Sequence, residues 1–492
     1  MTSFRKDTAI PSGSGTSAPV AEGNARRPEQ VRSMDQHVPG ADVRRVAIIG
    51  TGPSGLFAAQ ALVNQDTIPV EIDLYDRLPT PFGLLRYGVA PDHESIRSVA
   101  QALSKVFHTP GVAFNGLVQV GQDVTREELL AAYDGVIYAA GAQQDMKLNI
   151  PGEVLPGSRS AREFVAWYGG HPDARRFQLD TLTGVGIVGV GNVGLDVARV
   201  LLKHPEELEW TDMPQHVLDQ LHASTVTDVY LCGRGGPEDA SFTTKELREL
   251  VTLDDVQVTI NEDAFFRSDT LTLDRRRQNN VDAIREAAAR QVDNPRARLH
   301  LRFWRRSHAI LGEDRVEALR VEQTRPGPTG LVGTGELTTF PVQLMLRSIG
   351  YRSVPIAGVP FDAERGIIPH NEGRVLDELG VRQPGEYVAG WIKRGPIGVV
   401  GTNKPDAAET VGHLIDELSA IPPKENRLDL RARMRDRGLN PSSLEDWYRI
   451  DEAEQGRGDT FGRKRTKIDA WHELLELTRL EDVRAQAASA GA

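Results

Sequence analysis

The sequence predicts an α/β fold with two dinucleotide-binding, Rossmann-like domains. Two segments carry this prediction, because each joins a run of buried-strand residues to a GxGxxG turn and a helical pattern: VRRVAIIGTGPSGLFAAQAL and LTGVGIVGVGNVGLDVARVLL. A chain of 492 residues also exceeds one ordinary hydrophobic core, which favours two or three domains.

Composition limits the partners and the location. The net charge of -11 argues against nucleic acid, which binds to basic faces. The sequence has no run of about 18 apolar residues, so we expect a soluble, cytoplasmic protein without stable membrane association. Residues 1–42 lack the apolar core of a secretory signal, and their acidic residues spoil the pattern of a transit peptide. We expect them to form a disordered tail.

Cysteine usage limits the redox chemistry. Cys232 is the sole cysteine. One thiol cannot form an intramolecular disulfide, a CxxC pair or a four-cysteine iron–sulfur site. Redox chemistry in this chain therefore requires a bound cofactor, and no metal site is expected.

The first glycine turn predicts a pyrophosphate site. Gly50 permits a tight turn, Gly52 lets the backbone approach a pyrophosphate, and Gly55 allows close packing of the helix. The helix N-terminus adds amide donors and a positive dipole. A second strand pattern, PVEIDLYDR, places Asp76 where a ribose hydroxyl is held.

The next stretch, LPTPFGLLRYGVAPDHESIRS, is expected to be a shaped loop. Its prolines and glycines exclude regular helix until after Pro91. Leu84 suits the wall of a flat aromatic cofactor, although a buried loop core uses the same residue types. His93 opens the following helix, where it is either functional or an ordinary surface histidine.

The second glycine turn has Gly189, Gly191 and Gly194 at the same spacing, and Asn192 is expected to cap its helix. The next strand pattern, VTDVYLCGRGG, ends at Arg234 instead of an acid. A guanidinium binds two phosphate oxygens at once, so this residue favours a ribose 2′-phosphate. An acid at one site and an arginine at the other predict FAD and NADP(H), between whose rings a hydride passes.

A third segment, GEYVAGWIKRGPIGVVGTNKPDAAETVGHLIDEL, predicts a strand, a glycine-rich loop and a helix that begins near Lys404. The helix N-terminus is expected to direct amides and positive dipole at the electron-rich edge of a reduced flavin. Trp391 either packs on the cofactor or belongs to the core. The loop just ahead of the helix contains Gly398, Val399 and Val400.

Four motifs together are typical of one family: YDRLPTPFGLLRYGVAPDH, GVGNVGLDVAR, SIGYRSVPIAGVPFD and GWIKRGPIGVVGTNKPDAAET. From Val43 to its end the chain resembles the adrenodoxin reductase-like family of ferredoxin NADP reductases. The resemblance implies an NADP-binding domain, residues 143–383, inserted into a discontinuous FAD-binding domain, residues 43–142 and 384–492.

The resemblance also implies roles for single residues. Asp76 stands where the family usually has glutamate. His93 matches an active-site histidine, with Asp196 nearby. The implied contacts to FAD are Ser54, Asp76, Leu84, Val118, Trp391, Gly398, Val399 and Val400. The implied contacts to the nicotinamide coenzyme are Val190, Gly191, Asn192, Val193, Arg234, Glu246 and Gly398.

One departure from the family concerns the coenzyme. The family usually reads GRRGP at this point, whereas this chain reads GRGGPEDASF, so Gly235 replaces an arginine and Glu238 and Asp239 are added. One lost charge-assisted phosphate contact costs about 1.5–3 kcal/mol. NADPH is still favoured because Arg234 is retained. NADH is the alternative, since the two acids either hold Arg234 or repel the phosphate.

The resemblance implies a flavoenzyme that passes electrons from NADPH to a ferredoxin-type iron–sulfur protein, bound transiently and electrostatically. Two alternatives stay open: a related NAD(P)H-dependent flavin oxidoreductase with a quinone, dye or partner subunit as acceptor, and a non-catalytic redox-sensing module. The basic runs DRRRQNN and RARLHLRFWRR are candidates for docking an acidic ferredoxin, although solvated loop charge explains them equally well.

Overall fold

The computed structural model describes residues 42–478 and does not describe the side chains of residues 94–97. By their contacts the described residues belong to one unit. The predicted N-terminal tail lies outside the described residues except for Asp42, an exposed turn residue. No helix within residues 42–478 has the length and apolar character needed to span a membrane.

The first sheet begins with alternating strands and helices. They are β1 (Arg44–Ile49), α1 (Pro53–Asn64), β2 (Val70–Tyr75), α2 (Leu84–Tyr87), α3 (Glu94–Ser104), β3 (Val112–Asn115), α4 (Arg126–Ala132) and β4 (Gly135–Tyr138). The four strands pair in parallel in the order β4-β1-β2-β3. The carboxyl ends of β1 and β2 therefore meet at one edge, where ligands bind in such sheets.

The chain then builds a second sheet, in the order β6-β14-β7-β8-β10-β9 with all pairs parallel. Its part of the chain contains β5 (Gln144–Asp145), β6 (Ser158–Ser160), α5 (Ala161–Tyr168), β7 (Gly184–Val188), α6 (Asn192–Leu202), α7 (Gln215–His222), β8 (Asp228–Cys232), α8 (Thr244–Val251), β9 (Val256–Ile260), α9 (Arg275–Ala289), β10 (Ala297–Arg302), β11 (Arg305–Leu311), β12 (Ala318–Gly327), β13 (Gly330–Pro341), β14 (Leu344–Arg347) and β15 (Tyr351–Arg352). Strands β11, β12 and β13 form an antiparallel sheet, and β15 pairs with β5.

The last part of the chain returns to the first sheet. It contains β16 (His370–Asn371), β17 (Arg374–Leu376), β18 (Arg382–Val388), α10 (Trp391–Arg394), α11 (Asn403–Ala420), α12 (Leu430–Asp436), α13 (Leu444–Thr460) and α14 (Trp471–Thr478). Strand β18 pairs in parallel with β4, which completes the order β16-β17-β18-β4-β1-β2-β3. Short 3-10 helices occupy Lys105–His108, Pro205–Leu208, Pro237–Asp239, Ser268–Thr270 and Val400–Thr402.

The return begins earlier than the sequence boundary. Strands β16 and β17 belong to the first sheet, although the sequence analysis assigned them to the inserted domain, residues 143–383. These strands have only two and three residues, too few for an alternating apolar pattern to mark them. The division into an FAD-binding and an NADP-binding domain stays a prediction.

The loop after β2 contains one short helix, so the prediction of no regular helix before Pro91 was wrong. Helix α2 follows Gly83, which has φ +48, and ends where Gly88 N donates to Leu84 O at 2.8 Å. Tyr87 shares a hydrogen bond of 2.8 Å with Thr80 Oγ1, which holds the turn against the loop. Four residues between two glycines form one turn without a helical apolar period.

Candidate active site

The first glycine turn leaves open space beside the N-terminus of α1. Gly50 has φ +105, and a β-carbon on it would lie 2.6 Å from Ala139 O. A β-carbon on Gly55 would lie 1.9 Å from Gly50 O, so close packing requires this glycine. A β-carbon on Gly52 meets no atom within 4 Å. The turn therefore has the shape expected for a backbone that approaches a pyrophosphate.

Asp76, at the end of β2, holds this turn. Its Oδ2 atom accepts hydrogen bonds from Thr51 N at 3.0 Å and Thr51 Oγ1 at 2.5 Å, and its Oδ1 atom accepts one from Leu78 N at 3.1 Å. Val118 N donates to the Asp76 carbonyl at 2.9 Å, so Val118 lies behind it, buried. The carboxylate keeps acceptor capacity for a ribose hydroxyl, which fits the predicted role.

The C-terminal segment packs on the first glycine turn. Ser54 Oγ donates to Asn403 Oδ1 at 2.9 Å. Gly390 has φ +79, and a β-carbon on it would lie 2.0 Å from Ser54 Oγ. Its backbone N donates to Asp406 Oδ2 at 2.5 Å. Helix α11 begins at Asn403, next to the predicted start, and therefore directs its N-terminus toward the same region as α1.

Several residues predicted to contact the flavin ring are exposed apolar groups, and one has a buried nitrogen without a hydrogen-bond partner. Leu84 is 39% exposed and Val399 is 62% exposed. Gly398 is exposed with φ +92, and Val400 is half-buried. Trp391 stacks on Tyr351 with ring centroids 5.6 Å apart. The Nε1 atom of Trp391 is buried and finds no hydrogen-bond partner among the described residues. Exposed apolar groups and an orphaned indole N–H fit a flat, polar-edged ligand such as a flavin.

The second glycine turn repeats the first but is partly covered. Gly189 has φ +116, and a β-carbon on Gly194 would lie 2.7 Å from Gly189 O. Gly191 faces Ser241, whose Oγ atom would lie 3.3 Å from a β-carbon. Ser241 N and Oγ each lie 3.1 Å from Val190 O and donate to it. The segment that follows Arg234 therefore folds over the turn, where Val190 and Val193 pack against the core of the second sheet.

The prediction that Asn192 caps α6 was wrong. Gly191 is the N-cap, and Asn192 is the first helical residue. Its Oδ1 atom accepts a hydrogen bond from Thr243 N at 2.9 Å. Thr243 caps α8 by accepting a hydrogen bond from Glu246 N. The Asn192 amide therefore ties the second glycine turn to the helix that carries Glu246.

Arg234 follows the end of β8 and is exposed. Its carbonyl accepts a hydrogen bond from Thr324 Oγ1 at 2.6 Å, which fixes the backbone. Its guanidinium makes no hydrogen bond or ion pair with any residue in 42–478. The side chain is thus available to a phosphate, as the sequence predicts.

The two acids after Arg234 do not hold it, contrary to one of the two expected roles. Asp239 Oδ2 lies 3.0 Å from Arg267 Nη1. Glu238 is buried, and its Oε2 atom accepts a hydrogen bond from Ser268 Oγ at 2.5 Å. The acids pair with the segment after β9, which no local sequence pattern placed beside this loop.

His93, Asp196 and Glu246 meet in one cluster. The Nε2 atom of His93 lies 3.1 Å from Glu246 Oε2, 3.9 Å from Asp196 Oδ1 and 2.9 Å from Glu249 Oε2. Arg199 Nη2 contacts the same nitrogen at 2.8 Å. Without a proton Nε2 accepts the hydrogen bond from Arg199, and with a proton it donates to a glutamate. The cluster can therefore hold a proton in alternative positions.

Two aspartates of the cluster differ in pKa. Burial raises the pKa of Asp196 to about 6, although the charges of Arg199 and His93 oppose the shift. Burial acts in the same direction on Asp92, but hydrogen bonds and charge from Arg199 and Lys203 outweigh it and hold the pKa well below the usual range. One carboxyl group therefore binds a proton near neutral pH while its neighbour stays ionised.

Sequence reasoning missed Glu249, Arg199 and Asp92. Helical spacing offered a signal, because Glu246 and Glu249 share a face of α8 and Asp196 and Arg199 share a face of α6. The sequence did not indicate that these faces of α6 and α8 pack toward each other. Ligand atoms of His93, Asp196 and Glu246 lie within 4.8 Å of one another, but Arg199 already supplies positive charge there. The expectation of no metal stays a prediction.

Comparisons with known proteins agree with this geometry. Residues 44–232 match the family described as pyridine nucleotide-disulphide oxidoreductase. The chain is 39% identical to the NADPH-ferredoxin reductase FprA of Mycobacterium tuberculosis over 88% of this chain and 98% of that protein. It is 37% identical to the mitochondrial NADPH:adrenodoxin oxidoreductase of Homo sapiens over 88% of this chain and 91% of that one. A solved structure of the M. tuberculosis FprA with NADPH superimposes with a TM-score of 0.81, at 39% identity, over 89% of this chain and 99% of that chain.

Two glycine turns lie at the ends of parallel strands in two sheets, and the His93 cluster joins an element of each sheet. With the matches above, this arrangement identifies the chain as a pyridine nucleotide-dependent flavin oxidoreductase. More narrowly, the chain belongs to the adrenodoxin reductase-like family of ferredoxin NADP reductases. The predicted family, fold class, enzyme class and cofactors, FAD and NADP(H), are confirmed. The roles of individual site residues stay predictions.

Proposed function

We propose that this enzyme carries electrons from NADPH through FAD to a ferredoxin-type iron–sulfur protein. The observation that supports it best is the contact between His93, just before α3, and Glu246, on α8. This contact brings an element of the first sheet, with the Gly52 and Asp76 site, against an element of the second, with the Arg234 site. The relatives named above support the donor and the acceptor class, since they are reductases of ferredoxin and adrenodoxin.

The residues have distinct roles in this proposal. Gly52 and the amides at the N-terminus of α1 hold the pyrophosphate of FAD, and Asp76 holds its ribose. Trp391 and Leu84 wall the ring and exclude water. Arg234 holds the 2′-phosphate of NADPH. When bound, FAD supplies the conversion of a two-electron hydride donor to a one-electron acceptor.

His93 lies where an element of the first sheet meets an element of the second. Its Nε2 atom either donates a hydrogen bond to Glu249 Oε2, 2.9 Å away, or accepts one from Arg199, while Glu246 Oε2 lies 3.1 Å away as a nearby charge. Because Arg199 is buried and also pairs with Asp196, the histidine has little freedom to turn. We assign it to positioning and proton exchange during reduction.

The partner face in this proposal is the start of α9. Arg275, Arg276 and Arg277 are all exposed there. The second basic run is less suitable, because Arg305 pairs with Asp263 and Arg306 pairs with Glu322. Transient, electrostatic docking of an acidic ferredoxin thus rests on the first run.

Reduction of cytochrome c, with and without added ferredoxin and with NADPH and NADH in parallel, tests the function. We expect NADPH to bleach the yellow protein and ferredoxin to accelerate cytochrome c reduction several-fold. Rapid reduction of quinones or dyes without any effect of ferredoxin would support another acceptor, and bleaching without onward transfer would support a sensor. We also propose a cytoplasmic location, which fractionation of cells tests directly.

A further inference from the structure

A guanidinium from a distant segment lies beside the loop that follows Arg234. Arg267 Nη1 lies 3.0 Å from Asp239 Oδ2, and that oxygen lies 2.9 Å from the position of a β-carbon on Gly235. The guanidinium of Arg267 thus reaches the side of the loop from which a side chain at position 235 would extend.

The neighbours of Arg267 fix its place. The Phe266 ring packs on the Trp304 ring at a centroid distance of 4.8 Å, and Trp304 N donates to Gly235 O at 2.9 Å. On the other side, Ser268 Oγ donates to the buried Glu238 carboxylate at 2.5 Å. Arg267 is therefore anchored to the loop through both adjoining residues.

The charges explain why Arg267 stays there. Glu238 Oε1 is buried and finds no hydrogen-bond partner among the described residues, while Arg267 Nη1 lies 3.7 Å away. A buried carboxylate needs a nearby cation, so Glu238 retains Arg267 at the loop. The Asp239 and Arg267 side chains are 36% and 35% exposed, so solvent and ligands reach their contact. A guanidinium has five N–H donors and can bind a carboxylate on one edge and a phosphate on the other.

We propose that Arg267 supplies a second guanidinium, in addition to that of Arg234, for the ribose 2′-phosphate of the nicotinamide coenzyme. Arg267 takes the place of the arginine that the family usually has at position 235, where this chain has Gly235. The carboxylates of Glu238 and Asp239 hold Arg267 there. This inference rests on the proposed use of NADPH. It makes Arg267 a specificity-determining residue, since NADH offers no 2′-phosphate to bind.

Calorimetric binding of adenosine 2′,5′-bisphosphate and of 5′-AMP to the purified holoenzyme tests the inference without turnover. We expect Arg267→Ala to weaken adenosine 2′,5′-bisphosphate at least about tenfold and to leave 5′-AMP within about twofold, with Arg267→Lys intermediate. The matched control is Arg296→Ala, because Arg296 is also a partly exposed arginine paired with an aspartate, Asp255. Arg296 precedes β10, so it lies at the amino ends of the parallel strands, whereas Arg234 follows the carboxyl end of β8.

The outcomes separate the inference from the proposed function. If Arg234→Ala loses adenosine 2′,5′-bisphosphate while Arg267→Ala retains the parent affinity, the inference is overturned and the NADPH site stands. If the parent itself prefers 5′-AMP, both are overturned. Unchanged flavin absorbance and melting temperature of Arg267→Ala show that the variant is folded. If Arg267→Ala does not fold, the binding measurement on Arg267→Lys tests the inference instead.

Discussion

The Nε2 atom of His93 lies 3.1 Å from the Oε2 atom of Glu246, and this contact joins the start of α3 to the first turn of α8. The cluster that forms around it contains three further acids, Asp92, Asp196 and Glu249, and two cations, Arg199 and Lys203. Its net charge depends on pH, because one of these acids has a pKa close to neutrality.

Asp196 should make the protein less stable as the pH rises from about 4 to about 6. The folded protein keeps the Asp196 proton up to its raised pKa of about 6, whereas the unfolded chain loses it near 3.8, the ordinary pKa of an aspartate. The difference between these two pKa values corresponds to about 3 kcal/mol of unfolding free energy. Asp196→Asn should remove this part of the decline.

Urea unfolding of the holoenzyme across this pH range checks the prediction. His93, Glu246, Glu249 and Arg199 also face Asp196, so the parent profile contains their contributions and the difference between parent and variant is the quantity of interest. Asp92→Asn is the control. Because the pKa of Asp92 is lowered, its charge stabilises the fold above about pH 4, and its loss should destabilise throughout this range. Identical pH slopes for Asp196→Asn and the parent would contradict the prediction.

Gly52→Val should abolish flavin binding while leaving the fold intact. The backbone at Gly52 has φ -71, and a β-carbon there meets no protein atom within 4 Å, so the backbone is unstrained and the β-carbon itself fits. A valine would fill only the space assigned to the pyrophosphate. Absorbance of the purified variant should show no bound flavin.

A matched control separates this effect from a general cost of valine. Gly412 also lies beside open space, on an exposed part of α11. Gly412→Val should stay yellow. Full flavin absorbance in Gly52→Val would reject the first turn as the FAD site.

Arg234→Ala should raise the KM for NADPH about ten- to a hundredfold and leave NADH nearly unchanged, because only NADPH has a 2′-phosphate to lose. Gly235→Arg should improve NADPH by less than about 1.5 kcal/mol, since Asp239 Oδ2 lies 2.9 Å from the new β-carbon and would neutralise the added charge. Steady-state kinetics with both donors measures these effects, and an NADH specificity constant equal to that for NADPH in the parent would overturn the NADP assignment.

Charge reversal at Arg275 and Arg276 should slow ferredoxin reduction at low salt and leave dye reduction unchanged. Both residues are exposed at the start of α9, and electrostatic steering is screened by ions. Stopped-flow rates at several ionic strengths measure the effect. Arg435→Glu, on an exposed part of α12, is the control for a general change in net charge. Ferredoxin rates equal to those of the parent at low salt would remove this face from consideration.

The predictable parts of this protein are those that depend on residues close together in the chain. Gly50 and Gly55 predict the first turn, because a β-carbon at either position would lie 2.6 Å or less from a backbone atom. The strand β7 was predictable because a strand buried on both faces of a parallel sheet has a continuous run of apolar and small residues, and all five of its residues are buried. The two glycine turns and the order of elements around them therefore follow from local pattern.

The sequence by itself thus determined the two turns, their helices and the contrast between Asp76 and Arg234. Only the tertiary structure decided the partners of polar side chains. Asn192 bonds to Thr243 instead of capping its own helix, and Asp239 pairs with Arg267 across 28 positions. The physical reason is that a turn is limited by sterics within a few residues, whereas a hydrogen bond or ion pair selects its partner from every group that packing brings within about 3 Å. Many arrangements of charged residues along the chain are compatible with one fold, and tertiary packing alone decides which charged side chains pair.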